Sequence, residues 1–324
     1  MDKYKLNIVT DFEEWNDFVD RSPQGTLFSY SYYLNLATAN WVAYWVKKGE
    51  QIKAGLILVL NKDGSAVISD DLVIHNGLMF EEHFEQNKAK ARNIDFEITT
   101  FIAEWLDDNF NSIDLTLSPQ FLDVRPFLWY NFHLPDCKKY HLDLRYTSYV
   151  DISSLSCVDD KDRSPLFNNF DTLRRRNIRE ARKDGSTYEL TNNIDLFINY
   201  YRTLLDGQGN VQNSEKLARM KRLMNGLIND YNALMVTSLD PKGMPMYITL
   251  YGLDAKRAYY LFGAPNPASS NRYKGTISFF EGFSLLSDAG VLEVDLEGIN
   301  SPNRGKFKLG FSGSISPYYR LYKE

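Results

Sequence analysis

The chain uses one pattern twice, and this repeat constrains its fold more than any other feature. In the first half WVAYWVKK, GEQIKAGLILVL and NKDGSAVIS follow one another from Trp41 to Ser69. In the second half NALMVTSL, DPKGMPMYITLYG and LDAKRAYYLFG follow in the same order and at similar spacing, from Asn232 to Gly263. Each set reads as a three-strand meander. The strands are Trp41–Lys48, Ile52–Leu60 and Ala66–Asp70, against Ala233–Leu239, Met246–Leu253 and Ala258–Gly263. The NKDG junction carries Asp-Gly, which suits a hairpin turn with positive φ, and Gly77–Phe80 is expected to extend the first sheet. A helix and a further strand follow each meander: Glu85–Phe110 with Ile113–Leu117, and Thr276–Ala289 with Leu292–Leu296. Gly290 sits where a helix C-terminus favours glycine. Two helices precede each meander. In the first half Asp11 is the expected N-cap of a helix carrying Trp15 and Phe18, and FSYSYYLNLA is the second helix. In the second half they are Ile194–Gly207 and Ser214–Asp230. A meander, a helix and a returning strand make a mixed sheet with helices on its faces. The expected fold class is therefore α/β with α+β mixed sheets, in two tandem lobes.

The 324 residues suffice for two domains that each bury a core. A net charge of −5 removes the basic footprint of a general nucleic-acid binder. The two cysteines, Cys137 and Cys157, form no Cys-x-x-Cys pair, and with four histidines a structural zinc site or any other metal is not expected. No apolar run approaches the roughly 18 residues of a membrane span. The opening MDKYKLNIVTDFEEW lacks the apolar segment of a signal peptide, so a reducing cytoplasm is the expected compartment.

Between the halves, SSLSCVDDKDRSP gives way to the basic helix FDTLRRRNIREARKDG. This connector sets the expected boundaries: one lobe over 1–152, and a second over 153–313 with a linker helix at 168–184. Arg175 and Arg179 share a face of that helix, as do Arg176 and Glu180. Its readings are a structural connector or a grip for RNA or a nucleotide diphosphate.

A meander, helix and strand in this order is similar to the GNAT acyltransferases. Two such units joined by a basic helix resemble the Fem-type peptidyltransferases and related tandem-GNAT acyltransferases. Four segments carry the resemblance: EWNDFVDRSPQGTLFSYSYYL, LRRRNIREARKDG, FGAPNP with GTISFFEGFSLLSDAG, and DLEGINSPNRGKFKLGFSG. The resemblance implies that the tail, 314–324, returns to complete the first lobe. It also implies a pyrophosphate site at the helix N-terminus made by Asn271, Arg272, Lys274, Gly275 and Thr276, where backbone N–H groups face an anion. The family pattern has more glycine here, and the alternative is a solvated loop capped by Thr276 or Ser278. The matching stretch of the first half, Gln86–Asn93, has no glycine, so that lobe is expected to frame the acceptor.

Acyl transfer to an amine needs a proton acceptor and a polarised carbonyl. No Gly-x-Ser-x-Gly elbow proposes a covalent intermediate. Glu297 is the better candidate base and Asp295 the second, with a structural hydrogen bond as the alternative for Asp295. Lys308 matches the lysine of the family's Phe-Lys run, which implies a place in the acceptor cleft facing a phosphate or the oxyanion. Tyr30, Tyr33, Asn300, Arg304 and Lys306 are expected to contact substrate. Tyr32, Tyr251, Tyr259, Tyr260 and Tyr273 are further cleft candidates.

The expected function is N-acyl transfer from acyl-CoA to the amino group of a nucleotide-linked amino sugar, by direct attack, in cell-surface polysaccharide biosynthesis. One alternative is an aminoacyl-tRNA-dependent peptidyltransferase acting on a peptidoglycan precursor, with tRNA as partner. The other is a non-catalytic, GNAT-derived binding module.

Overall fold

The computed structural model describes residues 4–82, 87–207, 214–230 and 232–324. It divides into two compact units, Met1–Arg145 with Pro317–Glu324, and Tyr146–Ser316.

The first unit opens with β1 (Lys5–Ile8), α1 (Phe12–Arg21) and α2 (Ser31–Ala37), followed by β2 (Trp41–Lys48), β3 (Gln51–Val59) and β4 (Gly77–Phe80). Asp11 caps α1 as its side chain dictates, accepting from the N–H groups of Glu13 and Glu14. The four strands pair antiparallel in the order β1-β2-β3-β4. Next come α3 (Lys88–Asn109), β5 (Ile113–Thr116) and α4 (Arg125–Trp129). β6 (His141–Asp151) begins in this unit and runs into the other. Ile98, Ile102 and Leu106 of α3 lie fully buried against Leu56, Leu58 and Leu115, the i, i+4, i+8 stripe expected of a helix packed on a sheet.

Two expectations change here. Ala66–Asp70 is not a strand; it makes only isolated bridges, Leu60 with Val67 and Asp70 with Val73. Polar side chains hold the local backbone instead. At its ends Asn61 accepts from Ala66 N, Asp63 from Ser65 N and Asp70 from Leu72 N, while Val67 N and Ile68 N donate to the carbonyls of Ser112 and Val59. Gly77–Phe80 is therefore the third strand of the repeat. The long helix starts at Lys88 with Asn87 as N-cap, its amide oxygen accepting from Ala89 and Lys90. Glu85 and Gln86, expected at its start, lie outside the described residues.

The second unit carries α5 (Pro165–Asn169), α6 (Thr172–Asp184), β7 (Thr187–Leu190), α7 (Ile194–Asp206) and α8 (Ser214–Asn229). The meander β8 (Ala233–Leu239), β9 (Pro245–Leu253) and β10 (Ala258–Pro265) follows. After it come α9 (Lys274–Asp288), β11 (Glu293–Asp295) and α10 (Pro302–Leu309). β12 (Ser314–Lys323) leaves this unit, and its residues Arg320–Lys323 pair antiparallel with β5 in the first. In the second unit β7, β8, β9 and β10 pair antiparallel, β11 joins β10 in parallel, and Tyr149–Asp151 of β6 pairs with β11. The basic helix is α6. Asp171 caps its start by accepting from Arg174 N, and Gly185 ends it in the left-handed region at φ 80°.

The core of this unit is aromatic. Phe279 of α9 stacks on Phe311 at 5.3 Å and meets Tyr260 at 4.4 Å, and Phe280 meets Phe167 and Phe170. The stretch Gly298–Arg304, expected as a loop, turns helical at Pro302, which occupies the first turn of α10 behind Ser301. Proline is favoured there because the missing N–H has no helical partner to lose. Lys306, Phe307 and Lys308 are consequently helical, and Phe307 and Lys308 point to different surroundings from Lys306, which is exposed.

Candidate active site

Asp295 ends β11, whose parallel pairing with β10 stops at Tyr259 and Asp295. The Asp295 side chain is 1% exposed. Its Oδ1 accepts from the Thr147 hydroxyl and from Glu297 N, while Oδ2 has no hydrogen-bond partner among the described residues. Burial raises its pKa to about 6; Thr147, the Glu297 N–H, Arg257 and Lys308 hold it from rising further.

Glu297 stands two residues on, with φ 56°. A left-handed backbone at a non-glycine residue costs about 1–2 kcal/mol, and such strain collects at functional sites. The turn moves Glu297 off the strand's alternation. Its carboxylate is buried, and neither oxygen has a hydrogen-bond partner among the described residues. One oxygen of Asp295 and one of Glu297 lie within 4.8 Å. Burial first, then the Asp295 charge, pushes the Glu297 pKa well up, against the pull of Lys308.

Lys308 of α10 supplies the countercharge. It is buried, with Nζ donating to the carbonyls of Glu297 (3.3 Å) and Gly298 (3.2 Å) and lying 5.1 Å from the Tyr260 ring centroid. Burial lowers its pKa to about 8, with Glu297 and Asp295 opposing. Among the described residues two of its three N–H donors are occupied, which leaves a third for a ligand. Two carboxylates and one ammonium in one buried cluster are electroneutral when the carboxylates share a single proton, and burial favours that state.

α10 holds Lys308 in place by close contact with the preceding loop. A Cβ on Gly305 would meet the Ile299 carbonyl oxygen at 2.5 Å. Backbone cannot yield as a side chain can. Gly305→Ala is expected to destabilise the protein by about 1–3 kcal/mol, which differential scanning calorimetry would show as a lower Tm; an unchanged Tm would mean that α10 is not seated this tightly.

The other expected contacts fall into different places. Asn300 accepts from Tyr146 N (2.7 Å) and donates to Tyr146 O (3.1 Å), clamping the loop to β6. Arg304 and Lys306 are exposed on α10. Tyr33 is fully buried in the first unit with its hydroxyl on Leu72 O, and Tyr30, also buried there, donates to Asp20 and packs its ring against Tyr32. Both have packing roles. Tyr251 and Tyr259 are core residues, and Tyr273 donates to Asp184.

The loop before α9 is locked by its own side chains. Lys274 Nζ donates to the carbonyls of Asn266 (3.3 Å) and Ser269 (2.6 Å), and Arg272 makes a two-point pair with Glu180. Asn271 Nδ2 lies 2.9 Å from Met246 Sδ, and Gly275 faces Tyr247 and Phe307. The helix begins at Lys274, not at Thr276. Thr276 is thus inside its first turn, where the hydroxyl accepts from Arg174 Nη1 (2.8 Å) and Asn177 Nδ2 (3.4 Å).

Arg174 was not among the expected site residues. Its guanidinium lies 4.3 Å from the Phe307 ring centroid, so it fixes the residue beside Lys308. The signal was present: Arg174, Asn177, Ile178 and Ala181 form an i, i+3, i+4, i+7 stripe, and all four are buried. Thr147 was missed because it lies on β6, a strand whose polar start concealed it.

No family model matches the chain, and no curated protein matches it. Solved structures do. FemX aligns over 97% of this chain and 96% of its own at 14% identity, with a TM-score of 0.63. A tandem GNAT protein from the clavulanic acid biosynthesis pathway aligns over 99% and 98% at 9% identity, TM-score 0.55. L-PGS from Bacillus licheniformis aligns over 96% and 91% at 11% identity, TM-score 0.51. At these identities the likeness is one of fold. The chain has a tandem GNAT-like fold and resembles the Fem-type proteins in it.

Proposed function

We propose that this protein is an N-acyltransferase whose reaction centre is the Asp295–Glu297–Lys308 cluster. The observation that carries the reading is a buried glutamate, at a strained backbone position, whose two oxygens have no hydrogen-bond partner among the described residues, beside a second carboxylate and a lysine. A carboxylate pair raised toward neutrality is suited to take a proton from an attacking amine. The amine nitrogen forms a bond to the acyl carbon, its proton passes to the carboxylate pair, and the bond from acyl carbon to the leaving sulfur or oxygen breaks. The third N–H of Lys308 is suited to the negative charge that develops on the acyl oxygen.

The finer reading takes acyl-CoA as donor and a nucleotide-linked amino sugar as acceptor, within cell-surface polysaccharide biosynthesis. Its support is the tandem GNAT-like fold together with the Asn271–Thr276 loop at the start of α9. Calorimetric titration with acetyl-CoA tests the donor. Micromolar binding that Lys274→Glu weakens at least tenfold is expected. Absence of heat up to millimolar acetyl-CoA, with tRNA retained on filters instead, would overturn it in favour of an aminoacyl-tRNA donor.

A further inference from the structure

Arg257 stands in the turn between β9 and β10, and Asp254 locks that turn. The Asp254 carboxylate accepts from Lys256 N and Arg257 N, both at 2.8 Å, and from the Tyr259 hydroxyl at 2.7 Å. Asp254 N donates in turn to the Arg257 carbonyl (3.1 Å). From this fixed backbone the Arg257 side chain reaches across to β11 and β6. Its Nε is 3.1 Å from Glu293 Oε1, and its guanidinium is 4.7 Å from the Tyr149 ring centroid. These two contacts mark one face of the sheet. Glu293 and Asp295 are two residues apart on β11 and point to the same side. Tyr149 is the antiparallel partner of Asp295, and Thr147, two residues before it, reaches the same carboxylate. The guanidinium thus spans from Glu293 to the position opposite Asp295.

We propose that Arg257 is a positioning residue of the reaction centre, a permanent positive charge that Glu293 and Asp295 share on one face of β11. Its consequence for the reaction rests on the acyl-transfer reading, since the charge acts through the carboxylate pair assigned as base. Glu293 is its one ion-pair partner among the described residues, and the Glu293 side chain is 37% exposed, so water screens that pair. Asp295 is buried, and a charge acts most strongly where screening is least. Within the second unit the other titratable groups facing Asp295 are Glu297, Tyr149 of β6, Tyr259 of β10 and Lys308 of α10. Burial pushes the Asp295 and Glu297 carboxyls up, and Arg257 and Lys308 both draw them back. The two cations differ: arginine keeps its proton throughout the working pH range, whereas a buried lysine loses its own readily. Three carboxylates, Glu293, Asp295 and Glu297, thus face two cations, and the group is neutral when Asp295 and Glu297 share one proton. Glu293 competes with Asp295 for the same guanidinium. That competition sets how readily the buried pair gives up its proton.

The test is a carboxyl-carbon NMR titration of the full chain, isotopically labelled at aspartate and glutamate, with the Asp295 and Glu297 signals assigned from Asp295→Asn and Glu297→Gln. Arg257→Met should move the first titration of that pair up by about one pH unit, the lower end of the range for an opposite charge nearby. Arg257→Lys should restore most of the difference. Glu293→Gln should move the titration down, because the guanidinium then serves Asp295 alone. This second substitution lies on a half-exposed side chain and carries the test if Arg257→Met fails to fold. Titrations unchanged in both Arg257→Met and Glu293→Gln would overturn the proposal and leave Arg257 as a stitch between turn and strand that affects Tm alone. A titration moved up in Glu293→Gln would overturn it as well. The titration is read without turnover. Shifts as expected in a chain without acyltransferase activity would uphold the role of Arg257 at the carboxylate pair and remove the proposed reaction. An active chain whose titration does not move would do the reverse.

Discussion

Glu297→Gln is expected to lower kcat in a thiol-release assay with acetyl-CoA and UDP-glucosamine by about 10²–10⁴-fold, the range for a lost general base. The same substitution should raise Tm at pH 8. In the folded protein the Glu297 pKa is pushed up by burial and by Asp295. A group raised in the folded state stabilises most below its unfolded pKa, and that stabilisation is lost as pH rises through the folded value. Glutamine removes the titration and keeps the shape, so the gain appears at pH 8 and vanishes near pH 4. A residue retained for stability would show the opposite: a loss of Tm with little change in rate. Equal rates for both proteins would remove Glu297 from the reaction.

Lys308→Met is the second large effect. Methionine approximates the stem but leaves the carbonyls of Glu297 and Gly298 without their donor and the carboxylate pair without its countercharge. The rate is expected to fall about 10²–10³-fold, as for the loss of an oxyanion donor. The pair should also hold its proton to higher pH, because Lys308 lowers the pKa of both carboxylates. A surface lysine, which the local sequence equally permits, would show neither effect.

The meanders were legible in the sequence because each strand alternates or runs apolar between turn residues. β8 appears with the bounds the pattern sets, Ala233–Leu239. Ala66–Asp70 looks like a strand by its apolar run, while Asn61, Asp63 and Asp70 capture the N–H groups of Ala66, Ser65 and Leu72 at its ends and only isolated bridges form; side-chain competition of this kind leaves no periodic trace. α10 was hidden for a related reason. Asn303, Arg304 and Gly305 read as a loop, yet Pro302 is placed to start a helix and Gly305 is small because Ile299 O lies against it. Asp295, Glu297 and Lys308 were each visible as candidates. Their convergence was not, because it depends on the positive φ at Glu297 and on the helical turn that buries Lys308. The same helix periodicity explains Arg174: within a run of three arginines, charge masked the buried stripe.

The most direct test of the carboxylate–lysine cluster is the pH dependence of kcat/KM for the unaltered chain and for Lys308→Met. The cluster as a whole should give a bell. The acid limb falls near pH 6, where the Asp295–Glu297 pair gives up a proton, and the alkaline limb near pH 8, where Lys308 loses its own. In Lys308→Met the alkaline limb should disappear and the acid limb should move up. A profile flat from pH 5 to 9, or one that Lys308→Met leaves unchanged, would contradict the assignment of acyl transfer to this cluster.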